Sequence, residues 1–275
     1  MRWRVVVLIM SGQGCMLSPT EGGRIGPGAV QIVSNEFQRL ARSATFGWNN
    51  VTGAALLSEF GLSTSVGASA LRSCFADTTG IATANAAGVP TDITLTYSIG
   101  DCASSGFSIT QTVRGTIRIQ DLGDRFAARA TYTDLEFALS AAGIVTEWTL
   151  NGTIEFRAVD DTTLQVHRRL TEAERVSAQP STSYWRSDDL IMTLVDSGPF
   201  VSRPVGNRFR PHRVSWSGVQ HVVLESTPGD SLRIAYTTRI PFVPQLFCLS
   251  GYSAGEVTGV ATGTQSGMAT LRYSC

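Results

Sequence analysis

Any chemistry in this chain must come from serine, histidine, cysteine, carboxylate or arginine side chains, because its 275 residues include no lysine. A Schiff base, a pyridoxal-phosphate enzyme and a phosphate-loop lysine are excluded on that ground. Gly251-Tyr252-Ser253-Ala254-Gly255 has the spacing of a G-x-S-x-G nucleophile elbow. An elbow needs a strand before the serine, a helix after it and a histidine later in the chain. Here Glu256 to Gly263 lacks a helical pattern and the last histidine is His221, so a hairpin turn accounts for the glycines better. His167, His212 and His221 are isolated from one another, and no two cysteines form a C-x-x-C pair, so neither a metal site nor a cofactor is expected. Paired carboxylates stand at Asp160-Asp161 and Asp188-Asp189. Either pair could serve calcium or a glycosidase, but both have turn-like surroundings in which Asp hydrogen-bonds the backbone. No catalytic residue is assigned.

Arginine is the most concentrated chemistry. Arg203, Arg208, Arg210 and Arg213 fall within eleven residues together with His212, bracketed by Pro204 and Pro211. Guanidinium forks grip phosphate and carboxylate in a bidentate way and stack on aromatic rings. The four arginines are therefore expected to dock an anionic glycan, a lipid headgroup or an acidic protein. The plainer alternative is a solvated loop whose arginines pair with neighbouring acids. The 22 basic residues balance 22 acidic ones, which argues against a nucleic-acid partner.

The first fifteen residues have the parts of a secretory signal peptide with a lipobox: a cationic Met1-Arg-Trp-Arg4, an apolar Val5 to Met10, then Ser11 to Gly14 and Cys15. The apolar core is short and Gly12 stands where a lipobox has leucine; a buried first strand with a free thiol is the alternative. With lipid on Cys15 the chain would be exported to the periplasm, outer membrane or cell surface and tethered to the membrane through its N-terminus. Beyond it, Leu17 to Gly28 is rich in Gly and Pro without periodicity, and residues 16–28 are expected to form a flexible tether.

Four cysteines remain: Cys74, Cys102, Cys248 and Cys275. They allow three pairings. Local pairing, Cys74 with Cys102 and Cys248 with Cys275, closes two loops of similar size, and structural disulfides suit an oxidising compartment.

The elements that must position these residues are mostly strands. Apolar residues at helical spacing from about Ala29 to Ala44 predict a short N-terminal helix, with a weaker helical stretch over Ala54 to Phe60. From about Ala76 the period becomes two, as in Ile93, Leu95 and Tyr97 among Thr94, Thr96 and Ser98, and turn residues such as Gly123-Asp124 and Pro228-Gly-Asp230 separate the runs. Thirty Thr, 28 Ser and 27 Gly favour the same architecture. The expectation is all-β: about ten to twelve antiparallel strands in a curved sheet, sandwich or barrel, forming one domain over residues 29–275. The expected strands include Thr163–Arg169, Leu190–Val195 and Leu246–Leu249. Gly-Thr-Ile recurs at 115–117 and 152–154, and reads as two similar bends in a curved sheet.

Thr94 to Cys102, then Gly106 and Arg114-Gly-Thr-Ile-Arg-Ile119, resembles a set of uncharacterised β-rich bacterial lipoproteins. The Cys248 to Cys275 segment is similar to their closing hairpin. The resemblance implies an envelope location and disulfides and brings no activity. The functional expectation is therefore a lipid-anchored envelope protein acting as a structural or binding module rather than an enzyme. Its rivals are an apolar-ligand carrier in a lipocalin-like barrel and a carboxylate-based hydrolase.

Overall fold

Strict alternation lets an antiparallel sheet bury one face and hydrate the other. The computed structural model describes residues 15–19, 77–84, 90–97, 109–123, 126–141, 143–177, 182–199, 211–224, 231–244, 252–264 and 266–274. In these the chain forms β1 (Cys15–Pro19), β2 (Asp77–Ala84), β3 (Pro90–Tyr97), β4 (Ile109–Asp121), β5 (Ala127–Ala141), β6 (Ile144–Ala158), β7 (Thr163–Val176), β8 (Thr182–Asp196), β9 (Pro211–Leu224), β10 (Ser231–Pro244), β11 (Tyr252–Gly263) and β12 (Gly267–Ser274). All twelve belong to one antiparallel sheet. From β2 to β12 each strand pairs with the next, and β1 returns to lie along β12, with Cys15 opposite Tyr273. The sheet is curved and open, because β1 and β2 are its edges and each has a single neighbour.

The all-β expectation holds, and several boundaries differ: the expected strands Leu232–Ile240 and Val257–Ala261 are lengthened to Ser231–Pro244 and Tyr252–Gly263, and three further differences bear on the site. Residues 15–19 are strand where a tether was expected to begin. Strand β7 runs on to Val176, and β8 starts eight residues before Leu190. Those two extensions carry charged side chains on the buried face, which broke the apolar period in the sequence. The expected helices over 29–44 and 54–60, and the expected strand over 246–249, lie outside the described residues.

The core is a single cluster along one face. Ile119, Ile234, Val222, Phe242 and Val257 are 0% exposed, and Ile93, Ile117, Phe156, Leu164, Val166 and Leu194 join them. The opposite face carries cross-strand ion pairs, among them Arg114–Glu136 at 3.1 Å and Arg129–Glu155 at 2.6 Å. Exposed pairs of this kind contribute about 0.2–1 kcal/mol each. A charged outward face is the reverse of a transmembrane barrel, whose outward face is apolar. Among the described residues no helix is long and apolar enough to cross a membrane.

The two Gly-Thr-Ile segments do mark bends. The β4–β5 register slips between Arg114 and Thr116, and the β5–β6 register slips between Tyr132 and Leu135, where Asp134 takes φ 45° and its N–H donates to Asn151 Oδ1 at 2.8 Å. Gly152 has φ 120°, and a Cβ there would fall on the carbonyl oxygen of Arg169. Tyrosines face three of the sheet's glycines across the ladder: Tyr97 opposite Gly115, Tyr132 opposite Gly152 and Tyr236 opposite Gly218. A ring beside a bare backbone supplies the contact that glycine lacks.

Two exposed carboxylates make the fold sensitive to acid. Asp92 accepts a fork from Arg118, Nε at 2.9 Å and Nη2 at 2.5 Å, which holds its carboxyl below the usual range. Asp160 is held low by the N–H and hydroxyl of Thr162 and the N–H of Thr163, so the Asp160-Asp161 turn is as expected. A carboxyl depressed in the folded state binds protons later than in the unfolded chain. Its contribution is complete above the ordinary carboxylate value of about 3.9 and disappears as pH falls through the folded value. Urea midpoints measured from pH 6 downward should therefore fall mainly below about pH 4, and Asp160→Asn should flatten that decline. A profile that Asp160→Asn leaves unchanged would contradict the turn's role.

Candidate binding site on the buried face

Register decides what faces the core, because residues opposite each other across a ladder share a face. On β7 the buried row runs Leu164, Val166, Arg168, Leu170, Glu172 and Glu174. Its partners on β8 run Leu194, Met192, Leu190, Asp188, Arg186 and Tyr184. On β9, Gln220 stands opposite Asp188 and Val222 opposite Arg186; on β10, Ile234 and Tyr236 continue the rows. A polar patch thus sits in the middle of an otherwise apolar face.

The patch is one connected network. Tyr236 Oη donates to Gln220 Oε1 at 2.9 Å, and Gln220 Nε2 donates to Asp188 Oδ1 at 2.7 Å. The other oxygen of Asp188, Oδ2, lies 2.7 Å from Arg168 Nε, an ion pair by distance though not aligned as a hydrogen bond. Arg168 Nη2 reaches Glu172 Oε2 at 3.4 Å. Arg186 Nη1 reaches Glu172 Oε1 at 3.4 Å and Glu174 Oε2 at 2.6 Å. The Arg186 guanidinium also sits 5.0 Å from the centroid of the Tyr184 ring. The Asp188 side chain is fully buried and that of Arg186 is 5% exposed.

Farther along the same face, Trp216 stands opposite Met192 and stacks on Phe242, with ring centroids 4.4 Å apart and planes within 6°. Its indole Nε1–H is buried and meets no acceptor among the described residues. Buried donors are seldom left so.

The residues singled out in the sequence are scattered. Ser253 lies on β11 with its hydroxyl donating to the Val243 carbonyl at 3.4 Å, in a strand and not on an elbow. On the hydrated face, His167 Nε2 is 2.6 Å from Asp189 Oδ1, while His212 and His221 are exposed on β9. Among the described residues no three metal-binding side chains come together. Asp188-Asp189 corrects the turn reading: both are mid-strand on β8, Asp188 buried and Asp189 outward. Arg213 is exposed near the start of β9, and Cys15 is the first residue of β1. Arg203, Arg208, Arg210 and the cysteines Cys74, Cys102, Cys248 and Cys275 lie outside the described residues.

No protein-family model, no curated protein and no solved structure matches this chain. The site's meaning rests on its chemistry. Burying Glu172, Arg186 and Asp188, with Arg168 and Glu174 half-buried beside them, is costly even when they are paired, and apolar residues of similar volume often give equal or greater stability. Three carboxylates, two guanidiniums, an amide and a phenol on one apolar face can hold the polar head of a molecule whose remainder lies along the neighbouring aliphatic rows. Sequence reasoning missed Arg168, Glu172, Arg186, Gln220, Tyr236 and Trp216. Extending the two-residue period from Val166 forward and from Leu190 backward would have set Arg168, Glu172, Asp188 and Arg186 on the core face.

Proposed function

We propose that this chain is an exported, lipid-anchored protein of the cell envelope, a binding module that holds an amphiphile on the buried face of its sheet. The observation that carries the binding reading is the Arg168–Glu172–Arg186–Asp188–Gln220 network, set at the centre of an apolar face. The unsatisfied indole of Trp216 on that face supports it. The anchor reading rests on the lipobox-like run ending in Cys15, and the location on that run together with the cysteine content.

Two measurements test the proposal. Protein purified without detergent and extracted with organic solvent should release one class of amphiphile in near-stoichiometric amount. Tyr236→Phe, which removes only the phenol hydroxyl, should lower that occupancy while leaving the fold intact. Extracts that contain no amphiphile, with no displacement of a dansylated fatty acid, would leave a purely structural module. Separately, Cys15→Ala should abolish labelling by radioactive palmitate and free the chain from the membrane fraction; unchanged labelling would sink the anchor.

The strand order also supports the local cysteine pairing. Cys74 lies three residues before Asp77 and Cys102 five after Tyr97, and β2 and β3 pair with Asp77 opposite Thr96. Cys248 lies in the connection from β10 to β11, and Cys275 follows Ser274, which stands opposite Ala254 near the start of β11. Non-reducing peptide mapping should give Cys74–Cys102 and Cys248–Cys275; a bridge between the two sets would refute this.

A further inference from the structure

A wide bulge interrupts β10. On the β9 side the register passes from Thr237 opposite Ser217 to Phe242 opposite Val214, so five steps on one strand meet three on the other. The β11 side slips over the same residues. Pro241 lacks an N–H and cannot donate to either ladder. The bulge displays Arg239, Ile240 and Pro241 as three successive exposed residues, with Ile240 49% exposed, while Phe242 turns inward at 0%.

The position of this bulge ties it to Cys15. Phe242 packs against Gly255, Gly255 stands opposite Tyr273, and Tyr273 stands opposite Cys15. Cys15 and the bulge therefore lie on one row across the sheet, three strands apart, roughly 14 Å at the usual strand spacing. The start of β9 belongs to the same end and brings exposed His212 and Arg213. Neither Arg213 nor Arg239 has an ion-pair partner among the described residues. The exposed Arg272 nearby already holds Glu256 at 2.5 Å, and Asp196 on β8 is buried. The exposed acids at this end, Asp160 and Asp161, stand in the β6–β7 turn, two strands beyond β8.

We propose that this end of the sheet rests on an anionic bilayer surface, with Ile240 and Pro241 in the headgroup layer and Arg213 and Arg239 facing lipid phosphates. An exposed aliphatic residue flanked by unpaired guanidiniums combines the two attractions that hold proteins at such surfaces. The orientation rests on the Cys15 anchor proposed above; the surface contact itself does not need the lipid.

The test uses the full chain carrying Cys15→Ala, with vesicles of phosphatidylcholine alone and of equal parts phosphatidylcholine and phosphatidylglycerol. The protein should prefer the anionic vesicles and be released by added salt. Replacing both Arg213 and Arg239 with Gln should weaken anionic binding about 30-fold, at roughly a factor of five per arginine near a charged surface. Ile240→Ser should weaken it about tenfold. Exposed substitutions such as these seldom disturb a fold, and a far-UV circular dichroism spectrum checks this; if a variant unfolds, the salt release of the parent chain still decides. Equal affinity for both vesicle types, or anionic binding that survives in the double variant, would overturn the proposal. Palmitate labelling of the unsubstituted chain reports the anchor independently, so failure of one reading does not hide in the other.

Discussion

Asp188→Ala is expected to lower the stability of this protein by about 3–5 kcal/mol, the range seen when one member of a buried ion pair is removed. The side chain is fully buried, so the loss strands two partners away from water: the Arg168 guanidinium, 2.7 Å from Oδ2, and the Gln220 amide, 2.7 Å from Oδ1. The cost comes chiefly from the buried donors left without an acceptor, since Arg168 keeps only its longer contact to Glu172 at 3.4 Å, and not from the missing attraction. Replacing both charged partners, Arg168→Met with Asp188→Leu, should therefore recover much of the loss, because the remaining charges, Glu172, Glu174 and Arg186, still pair with one another. Urea titration would check this through midpoints at constant slope. A loss below about 1 kcal/mol, the worth of an exposed pair, would show that the network is hydrated. Comparing amphiphile occupancy in the double variant then separates the network's two roles: a chain that is stable but empty would assign it to binding.

The second large effect is expected at Gly218, between Leu190 on β8 and Tyr236 on β10. Its φ of 133° is one that residues with a side chain rarely adopt, and an added Cβ would fall on the Asp189 carbonyl oxygen and lie 2.8 Å from the Leu190 Cα. Those atoms are backbone, held by ladders on both sides, and cannot swing away. Left-handed strain of about 1–2 kcal/mol and overpacking of about 1–3 kcal/mol together predict that Gly218→Ala costs roughly 2–5 kcal/mol. Gly143→Ala is the control. Gly143 has φ 80° at the β5–β6 turn with nothing within 4 Å of the added carbon, so only the strain applies. Thermal or urea unfolding of the two variants would compare them directly. Equal costs would mean that the strand next to Gly218 yields more readily than the geometry implies.

Much of this architecture was legible because its hydrated and buried residues alternate so regularly. Ile93, Leu95 and Tyr97, or Leu232, Ile234 and Tyr236, announce their strands without help from the rest of the molecule. The two Gly-Thr-Ile bends were legible for a similar reason, since an isolated glycine inside a strand-like run often marks a bulge or tight bend. The network was illegible for the opposite reason. Glu172, Glu174, Arg186 and Asp188 occupy positions where the period demands apolar side chains, so the alternation ended early and Asp188-Asp189 took on the appearance of a turn. Nothing local distinguishes a carboxylate that faces water from one that faces an arginine on the neighbouring strand. The strand at Cys15–Pro19 was hidden differently: its partner, β12, is at the other end of the sequence, and five residues carry too little pattern to announce a strand by themselves.

That pairing of first strand with last also sets an order of events. Every other ladder joins consecutive strands, whereas β1 meets β12, from Cys15 opposite Tyr273 to Pro19 opposite Ala269. Contacts so far apart in sequence form slowly, and here none can form before residue 269 is available, nor the one at Cys15 before residue 273. In a chain crossing a membrane N-terminus first, the meander can zip hairpin by hairpin from β2 onward while the residues around Cys15 wait for their only neighbour. If Cys15 is acylated as proposed, that interval is when an acyl-transferring enzyme would meet it without a neighbouring strand; once β12 arrives, the same residue becomes the start of a paired edge. The topology thus sets a delay: β1 has no described partner strand until the last strand of the sheet has been made.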